Sequence, residues 1–231
     1  MANVRHRIER TRNKYSRAVY RGNTIIIRLA RNLSRTEEKD HIQSLLRRMT
    51  QMVLQERNKT LIAPFKTLLE GAQQLTLRLP GGKRLCLRLS PERRTIARRV
   101  RPGVWNISVS PQLRRVALHK LLWKVVAAET LPDIERLVHD INAKTLRVRI
   151  SKVTLAFAST QWGSCSPRGV IMLNAALLFA PKRLLRYVII HELAHRRVPN
   201  HSDAYWNVVE SVLPRYRKDY EELQNYRLPT L

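Results

Sequence analysis

The sequence has few cysteines and no long apolar run. Its two cysteines, Cys86 and Cys165, are too few for a disulfide framework, and they do not form a Cys-x-x-Cys metal pair. No apolar run reaches the ~20 residues that span a bilayer, and residues 1–13 are basic, without the apolar core of a signal peptide. We therefore expect a protein of a reducing compartment, most simply the cytoplasm, with no membrane partner.

Acidic residues are also scarce, and the charge is uneven. The net charge is +27; residues 1–120 contain 28 Lys and Arg against 7 Asp and Glu, whereas residues 121–231 contain 16 against 10. Such a field attracts polyanions, so non-specific nucleic acid is an expected partner of the basic N-terminal half. Residues 1–100 contain only three aromatic residues, Tyr15, Tyr20 and Phe65, so contacts would be mainly with phosphates. The competing interpretation is that arginine is merely abundant on solvated faces.

Residue periodicity predicts an α+β fold in two parts. With 44% hydrophobic residues, the chain of 231 residues can bury a core in one large domain or two small ones. We predict a basic N-terminal region (1–110) with β-hairpins and one helix, and a second part (111–231) that is mainly helical.

In the N-terminal region, residues 1–14 are predicted to be a loose helix or tail. A hairpin is predicted over 17–30, and Ser34 or Thr36 can cap a helix over 37–56. Alternation of apolar and polar residues predicts four strands, at 75–79, 85–89, 95–100 and 104–109.

From residue 111 the pattern becomes mainly helical. We predict one helix that ends near Glu129 and another that begins at Pro132. Further elements are predicted in this order: strands at 146–150 and 153–157, a polar loop at 159–169, a strand at 170–174, a helix that contains 182–195, a helix capped by Ser202, and a last helix that begins at Pro214.

Five consecutive residues carry the clearest chemical signal: His191-Glu192-Leu193-Ala194-His195. Two histidines four residues apart lie on one face of a helix, so both can bind one zinc ion. Glu192 can then take a proton from a water molecule and act as the general base of a hydrolase. The competing interpretation is an amphipathic core helix whose histidines have no ligand.

The third metal ligand has two candidates. His201 lies five residues beyond His195, at a spacing that a turn can close, whereas Glu210 lies on the helix that follows. With either residue as the third ligand, the fourth coordination position of the zinc ion stays open, as in a catalytic zinc site.

Several motifs in order resemble the YgjP-like family of predicted metal-dependent hydrolases, which is grouped with zincin metallopeptidases. They are Trp162-Gly163-Ser164-Cys165-Ser166, Leu173-Asn174, His191 to His195, Asn200-His201-Ser202 and Tyr205-Trp206. The resemblance is strongest over 110–231 and implies a zincin-like α+β catalytic domain (111–231) with a small antiparallel sheet and an active-site helix. It favours His201 as the third ligand. Gln161 departs from the family, which usually has a basic residue there.

Further site residues are predicted with a competing role for each. Trp162 can line the cleft or pack its own loop, and Asn174 can bind substrate backbone or cap a turn. Arg196, Arg197 and Asn174 are candidates to stabilise an oxyanion.

The predicted function is a zinc-dependent metallopeptidase. The alternatives are a zinc-dependent hydrolase of nucleotides or other phosphoanhydrides, and a nucleic-acid-associated protein whose zinc site is secondary. The substrate is accordingly a peptide or a small phosphorylated molecule. Glu192 argues against a structural zinc site, because such a site has no use for a carboxylate beside its ligands.

Overall fold

The computed structural model describes residues 5–229. The chain divides into two compact units, Met1–Thr60 and Leu61–Leu231, and each has a hydrophobic cluster of its own. Within the described residues, no helix combines the length and the apolar character that a membrane crossing requires.

The first unit begins with a three-stranded sheet. Its strands are β1 (Arg5–Arg10), β2 (Arg17–Arg21) and β3 (Thr24–Leu29), in the order β1-β3-β2. The hairpin predicted over 17–30 is confirmed, since β2 and β3 pair antiparallel. The prediction of a loose helix or tail is wrong for Arg5–Arg10, which pairs parallel with β3. That pairing is non-local, and residues 1–14 show no strand pattern that reveals it.

Helix α1 (Arg35–Asn58) packs on this sheet. A capping box starts it: the Glu37 N–H donates to Ser34 Oγ (3.2 Å), and the Ser34 N–H donates to the Glu37 carboxylate (2.7 Å). The predicted cap at Ser34 is therefore confirmed. The buried members of this cluster are Ile25, Ile27, Leu29 and Val53.

The second unit contains a four-stranded sheet in the order β5-β6-β8-β7. Its strands are β5 (Gln74–Arg78), β6 (Arg84–Pro91), β7 (Ile96–Arg101) and β8 (Val104–Val109). They correspond to the four predicted strands. Pairing is parallel between β6 and β8 and antiparallel elsewhere. The short strand β4 (Thr60–Leu61) and the one-turn helix α2 (Lys66–Leu69) precede them.

One long helix, α3 (Arg115–Lys144), follows the sheet. The prediction of two helices separated at Pro132 is wrong, because Pro132 lies inside α3. Proline in a helix interior removes one backbone hydrogen bond. Buried side chains on both sides of it, Val126 and Ile134 among them, hold the helix together through packing, which a propensity argument omits.

A second small sheet combines β9 (Lys152–Ala156), β10 (Gly163–Cys165) and β11 (Val170–Asn174) in the order β10-β11-β9. Strand β10 lies inside the predicted polar loop, and its pairing with β11 is antiparallel. Strand β9 pairs parallel with β11, so the sheet is mixed and the prediction of an antiparallel sheet is wrong. The strand predicted at 146–150 does not form. Arg147 has φ 51°, and the Asn142 side chain hydrogen bonds the backbone N–H and C=O of Val148, so this stretch is a turn.

Three helices complete the second unit: α4 (Lys182–Ala194), α5 (Asp203–Val212) and α6 (Tyr216–Leu223). Two further short elements are a 3₁₀ turn, Ala175–Phe179, and strand β12 (Tyr226–Arg227), which pairs with β4. Ser202 occupies the N-cap position of α5 as predicted, but its side chain makes no capping hydrogen bond.

The predicted boundary at 110/111 lies inside the second unit. Leu77, Leu85, Leu87 and Ile107 of the four-stranded sheet belong to the same buried cluster as Trp123 of α3. The strands of 74–109 and the helices after them therefore share one core. The basic N-terminal half of the sequence is not a separate folded body.

We predict that Leu87→Ala destabilises the second unit by about 2–5 kcal/mol, because Leu87 is 0% exposed. Urea unfolding followed by circular dichroism measures the change. Thr76→Ala, an exposed residue of the same sheet, is the control and should change the free energy of unfolding by less than about 0.5 kcal/mol. A similar small change for Leu87→Ala would contradict the shared core.

Candidate metal centre

Helix α4 positions two of the candidate ligands. Pro181 stands immediately before its first residue, where the missing N–H costs no hydrogen bond. Leu184, Val188 and Ile189 are at most 3% exposed, so this face of the helix is fixed in the core. His191 and His195 follow on the same side, one turn apart, with ring centroids separated by 5.1 Å.

The loop between α4 and α5 returns His201 to this pair. The Nε2 atoms of His201 and His191 are 3.1 Å apart. The candidate ligand atoms of all three histidines lie within 4.8 Å of one another. Two nitrogen atoms at ~2.05 Å from one tetrahedral zinc ion are separated by about 3.3 Å, so the observed separation fits a shared ion.

Two aromatic side chains of α5 hold the imidazoles in place. The Tyr205 ring stacks on His195 with centroids 4.6 Å apart, and its hydroxyl donates to the His191 carbonyl oxygen at 3.0 Å. The Trp206 ring stacks on His201 at 5.7 Å. The orientation of the histidines is therefore set by packing between α4 and α5.

The electrostatic environment favours the neutral form of two of the histidines, His191 and His195. Burial, followed by the proximity of His195 and His201, lowers the pKa of His191 to about 3. Burial and the proximity of His201 also lower the pKa of His195. Because a metal binds the deprotonated imidazole, these two side chains are in the form that coordination requires.

Glu192 lies on the buried side of the same turn. It is 5% exposed, and burial raises the pKa of its carboxyl group to about 8. Gly163 of β10 makes room for it: a Cβ atom at that position would be 2.5 Å from Oε1 of Glu192 and 2.9 Å from Cδ and Cγ. Any side chain at position 163 would therefore collide with the carboxylate.

A cavity of about 410 Å³ opens beside Glu192. Aromatic and aliphatic side chains form most of its wall, together with His191, Glu192 and His201. The other lining residues are Trp162, Gly163, Tyr187, Val188, Trp206, Tyr220, Leu223 and Gln224. The candidate metal centre thus has an accessible and largely apolar chamber next to it.

Comparison with protein families gives one decisive match. The model of the YgjP-like family, metallopeptidase domain, matches residues 13–226. The chain belongs to the YgjP-like metallopeptidase family. This confirms the resemblance seen in the sequence motifs and identifies the chain as a metallopeptidase-domain protein that binds a metal.

Two solved structures are similar to this YgjP-like chain over 39% of its length. One is the metallopeptidase zymogen abylysin of Pyrococcus abyssi, with 27% identity, 90% of that chain covered and a TM-score of 0.36. The other is the metallopeptidase zymogen jannalysin of Methanocaldococcus jannaschii, with 22% identity, 91% covered and a TM-score of 0.35. Both TM-scores are low, so the family assignment rests on the family model. No curated protein matches the chain.

Of the two residues predicted to bind substrate, one lies at the site of this YgjP-like chain. Trp162 lines the cavity. Asn174 is 0% exposed, and both ends of its side chain are engaged: Oδ1 accepts from Ala176, and Nδ2 donates to Ala158 and Gln161 carbonyl oxygens. Asn174 therefore caps a turn, and its side chain has no free polar group for binding substrate.

The two arginines considered as oxyanion stabilisers point to backbone groups. Arg196 donates to the carbonyl oxygens of Arg149 and Pro167, and Arg197 donates to that of Leu146. Both guanidinium groups thus hold loops together. These contacts argue against both arginines as oxyanion donors. Asn174, the third residue predicted for that role, is buried.

Some residues of the site were missed in the sequence. Gly163 belongs to a sequence motif, but the motif does not show that the absence of a side chain at this position makes room for the Glu192 carboxylate. Tyr187 lies four residues before His191 and shares its helix face, so spacing alone could have revealed it. Leu223 and Tyr220 of α6 reach the cavity through tertiary packing, which no local pattern predicts.

We predict one zinc ion per chain, held by His191, His195 and His201. His201→Ala should lose most of the bound metal, because two imidazoles remain in place of three. Glu210→Ala should keep it, since Glu210 is exposed and is not among the three clustered residues. Metal content and zinc affinity at fixed pH measure the difference, and the reverse result would make Glu210 the third ligand.

Proposed function

We propose that this chain is a zinc-dependent metallopeptidase in which His191, His195 and His201 bind the metal and Glu192 is the general base. The observation that carries the proposal is the contact between Glu192 and the edge strand β10. Glu192, Gly163 of β10 and two of the three clustered imidazoles, His191 and His201, line one cavity.

The metal and the glutamate have separate tasks. Zinc, when bound, supplies a Lewis acid that polarises the scissile carbonyl and favours ionisation of water. Glu192 accepts the proton of the attacking water and passes it to the leaving nitrogen. Burial in an apolar wall raises the pKa of this carboxyl group, so its ionised form is a stronger base than an exposed glutamate.

Strand β10 gives a reason to favour a peptide substrate. It is an edge strand, since only β11 pairs with it among the described residues, and Gly163 lies against Glu192. An extended peptide can add to such an edge through backbone hydrogen bonds. The apolar cavity next to it would accept a bulky side chain beside the scissile bond.

A phosphoanhydride hydrolase is less favoured. That chemistry requires arginines that converge on the metal, whereas Arg196 and Arg197 are committed to backbone carbonyl oxygens. No lysine or arginine lines the cavity that contains His191 and Glu192. We therefore place the peptidase first and test both substrate classes together. A reducing compartment, most simply the cytoplasm, stays a prediction.

We predict that Glu192→Gln keeps zinc and fold but lowers peptide hydrolysis by about 10²–10⁴-fold, because an amide cannot accept the proton. The zinc-loaded wild-type chain and the variant are assayed side by side against a mixed peptide library, analysed by mass spectrometry, and against nucleoside triphosphates.

The expected result is cleavage of peptides by the wild-type chain alone, with bulky apolar residues enriched next to the cut. Cleavage of nucleotides but not peptides, lost in Glu192→Gln, would replace the peptidase proposal by the phosphoanhydride one. Equal cleavage by both proteins would show that the activity does not use Glu192.

We predict that Gly163→Ala lowers activity by at least about 10²-fold, because the new methyl group would displace the Glu192 carboxylate. Zinc affinity should be unchanged, since the histidines are not in that contact. Ser164→Ala, the next residue of β10, is the matched control.

A second variant separates displacement of the carboxylate from general damage to the strand. Glu192→Asp shortens the side chain by one methylene and makes room for the methyl group. The double variant should therefore lose less activity than the product of the two single losses. Strictly multiplicative losses, or a Gly163→Ala rate equal to that of Ser164→Ala, would refute the contact.

A further inference from the structure

The four-stranded sheet of the second unit has a solvent face that the catalytic site does not use. Alternation along β5–β8 directs Leu77, Leu85, Leu87 and Ile107 into the core and the opposite set outward. We call the outward set the basic face. It consists of Gln74, Thr76, Arg78, Arg84, Cys86, Arg88, Ser90, Ile96, Arg98, Arg101, Val104, Asn106 and Ser108.

The basic face contains five arginines, of which Arg101 lies beside the irregularity of β7, and no acidic residue. Arg78, Arg84, Arg88 and Arg98 are all exposed, and none of them forms an ion pair with another residue of the described chain. Arg78 and Arg84 are direct cross-strand partners. Like charges directly opposite each other destabilise a sheet, so an anion bound between them would relieve the repulsion.

The register builds a continuous row of donors across the sheet. Gln74 pairs with Arg88, Arg88 with Asn106, and Asn106 with Arg98. With neighbouring strands about 4.8 Å apart, this row spans about 14 Å. Amide and guanidinium donors in one line suit a chain of phosphates better than a single small anion.

The three-stranded sheet of the first unit differs in its charge balance. On the face that includes Arg7, Ile26 and Arg28, Glu9 forms ion pairs with both arginines. The positive charge there is partly neutralised within the protein. The same face also carries Arg5, Arg17 and Arg21. The basic face differs from it in containing no acidic residue at all.

We propose that the basic face binds the phosphate backbone of nucleic acid without sequence preference. Arginine forms bidentate hydrogen bonds with phosphate. The outward set contains no aromatic side chain on which bases could stack, so the contacts are with phosphates and sugars. Its only aliphatic members, Ile96 and Val104, lie apart on β7 and β8 and form no apolar patch for insertion into a bilayer.

The test uses the full chain, because a fragment that begins at residue 111 would lack the four strands that form part of the core. The test variant is Arg84→Gln/Arg88→Gln/Arg98→Gln. The matched control is Arg35→Gln/Arg47→Gln/Arg48→Gln on α1, which removes the same charge from exposed positions. Fluorescence anisotropy with labelled duplex DNA and single-stranded RNA is measured over a salt series.

We expect the test variant to bind both probes at least about tenfold more weakly at low salt. Its log–log salt slope should be shallower than that of the parent by about 3, which is about 0.9 for each lost phosphate contact on duplex DNA. The control should keep the parental slope within about one unit. Thermal melting of all three proteins verifies that the exposed substitutions leave the fold intact.

A second measurement does not depend on charge removal. Cys86 lies within the basic face, while Cys165 lies on β10. Bound DNA should slow alkylation of Cys86 in the parent chain and leave that of Cys165 unchanged.

Three results would overturn the proposal. One is no binding by the parent at low salt, and another is an equal loss in both variants, which would assign binding to the overall field of the protein. The third is retention of nucleic-acid binding by the test variant together with loss of binding to phosphatidylserine vesicles, which would assign the face to a membrane surface.

Discussion

Burial of helix α4 is the constraint on which the candidate site depends. Its inner face is part of the core, with Leu184, Ile189 and Leu193 all 0% exposed. The helix cannot rotate without exposing these side chains to water, at a cost of about 1.5–3 kcal/mol for each. His191 and His195 are therefore held at the edge of the core, and Glu192 is held just inside it.

Other elements complete the centre around this fixed helix. Helix α5 stacks Tyr205 and Trp206 on the imidazoles, and β10 presents a glycine where the Glu192 carboxylate lies. The same burial lowers the pKa of His191 and raises the pKa of Glu192. One physical cause, desolvation, therefore favours the neutral imidazole of His191, which can bind a metal, and raises the proton affinity of the Glu192 carboxylate.

Within the second unit, the arginines of the basic face and the candidate metal centre occupy different surfaces. Alternation along β6 buries Leu85 and Leu87 and exposes Arg84 and Arg88 on the other side of the sheet. The cavity beside Glu192 has no cationic side chain in its wall. The second unit thus combines a largely apolar candidate site with a basic face that is proposed to bind nucleic acid.

Local sequence patterns predicted the elements that depend only on the spacing of residues close together in the chain. The i, i+4 histidines, the cap at Ser34 and the alternating strands of 74–109 follow from helix and strand periodicity and capping geometry. Long-range packing decided the rest: the pairing of Arg5–Arg10 with β3, the continuity of α3 through Pro132, the burial of Asn174 and the approach of Gly163 to Glu192. The sequence by itself determined which residues carry the chemistry, because helix spacing is a property of the backbone. Only the tertiary structure decided their environment, because burial and charge depend on neighbours that are distant in the chain.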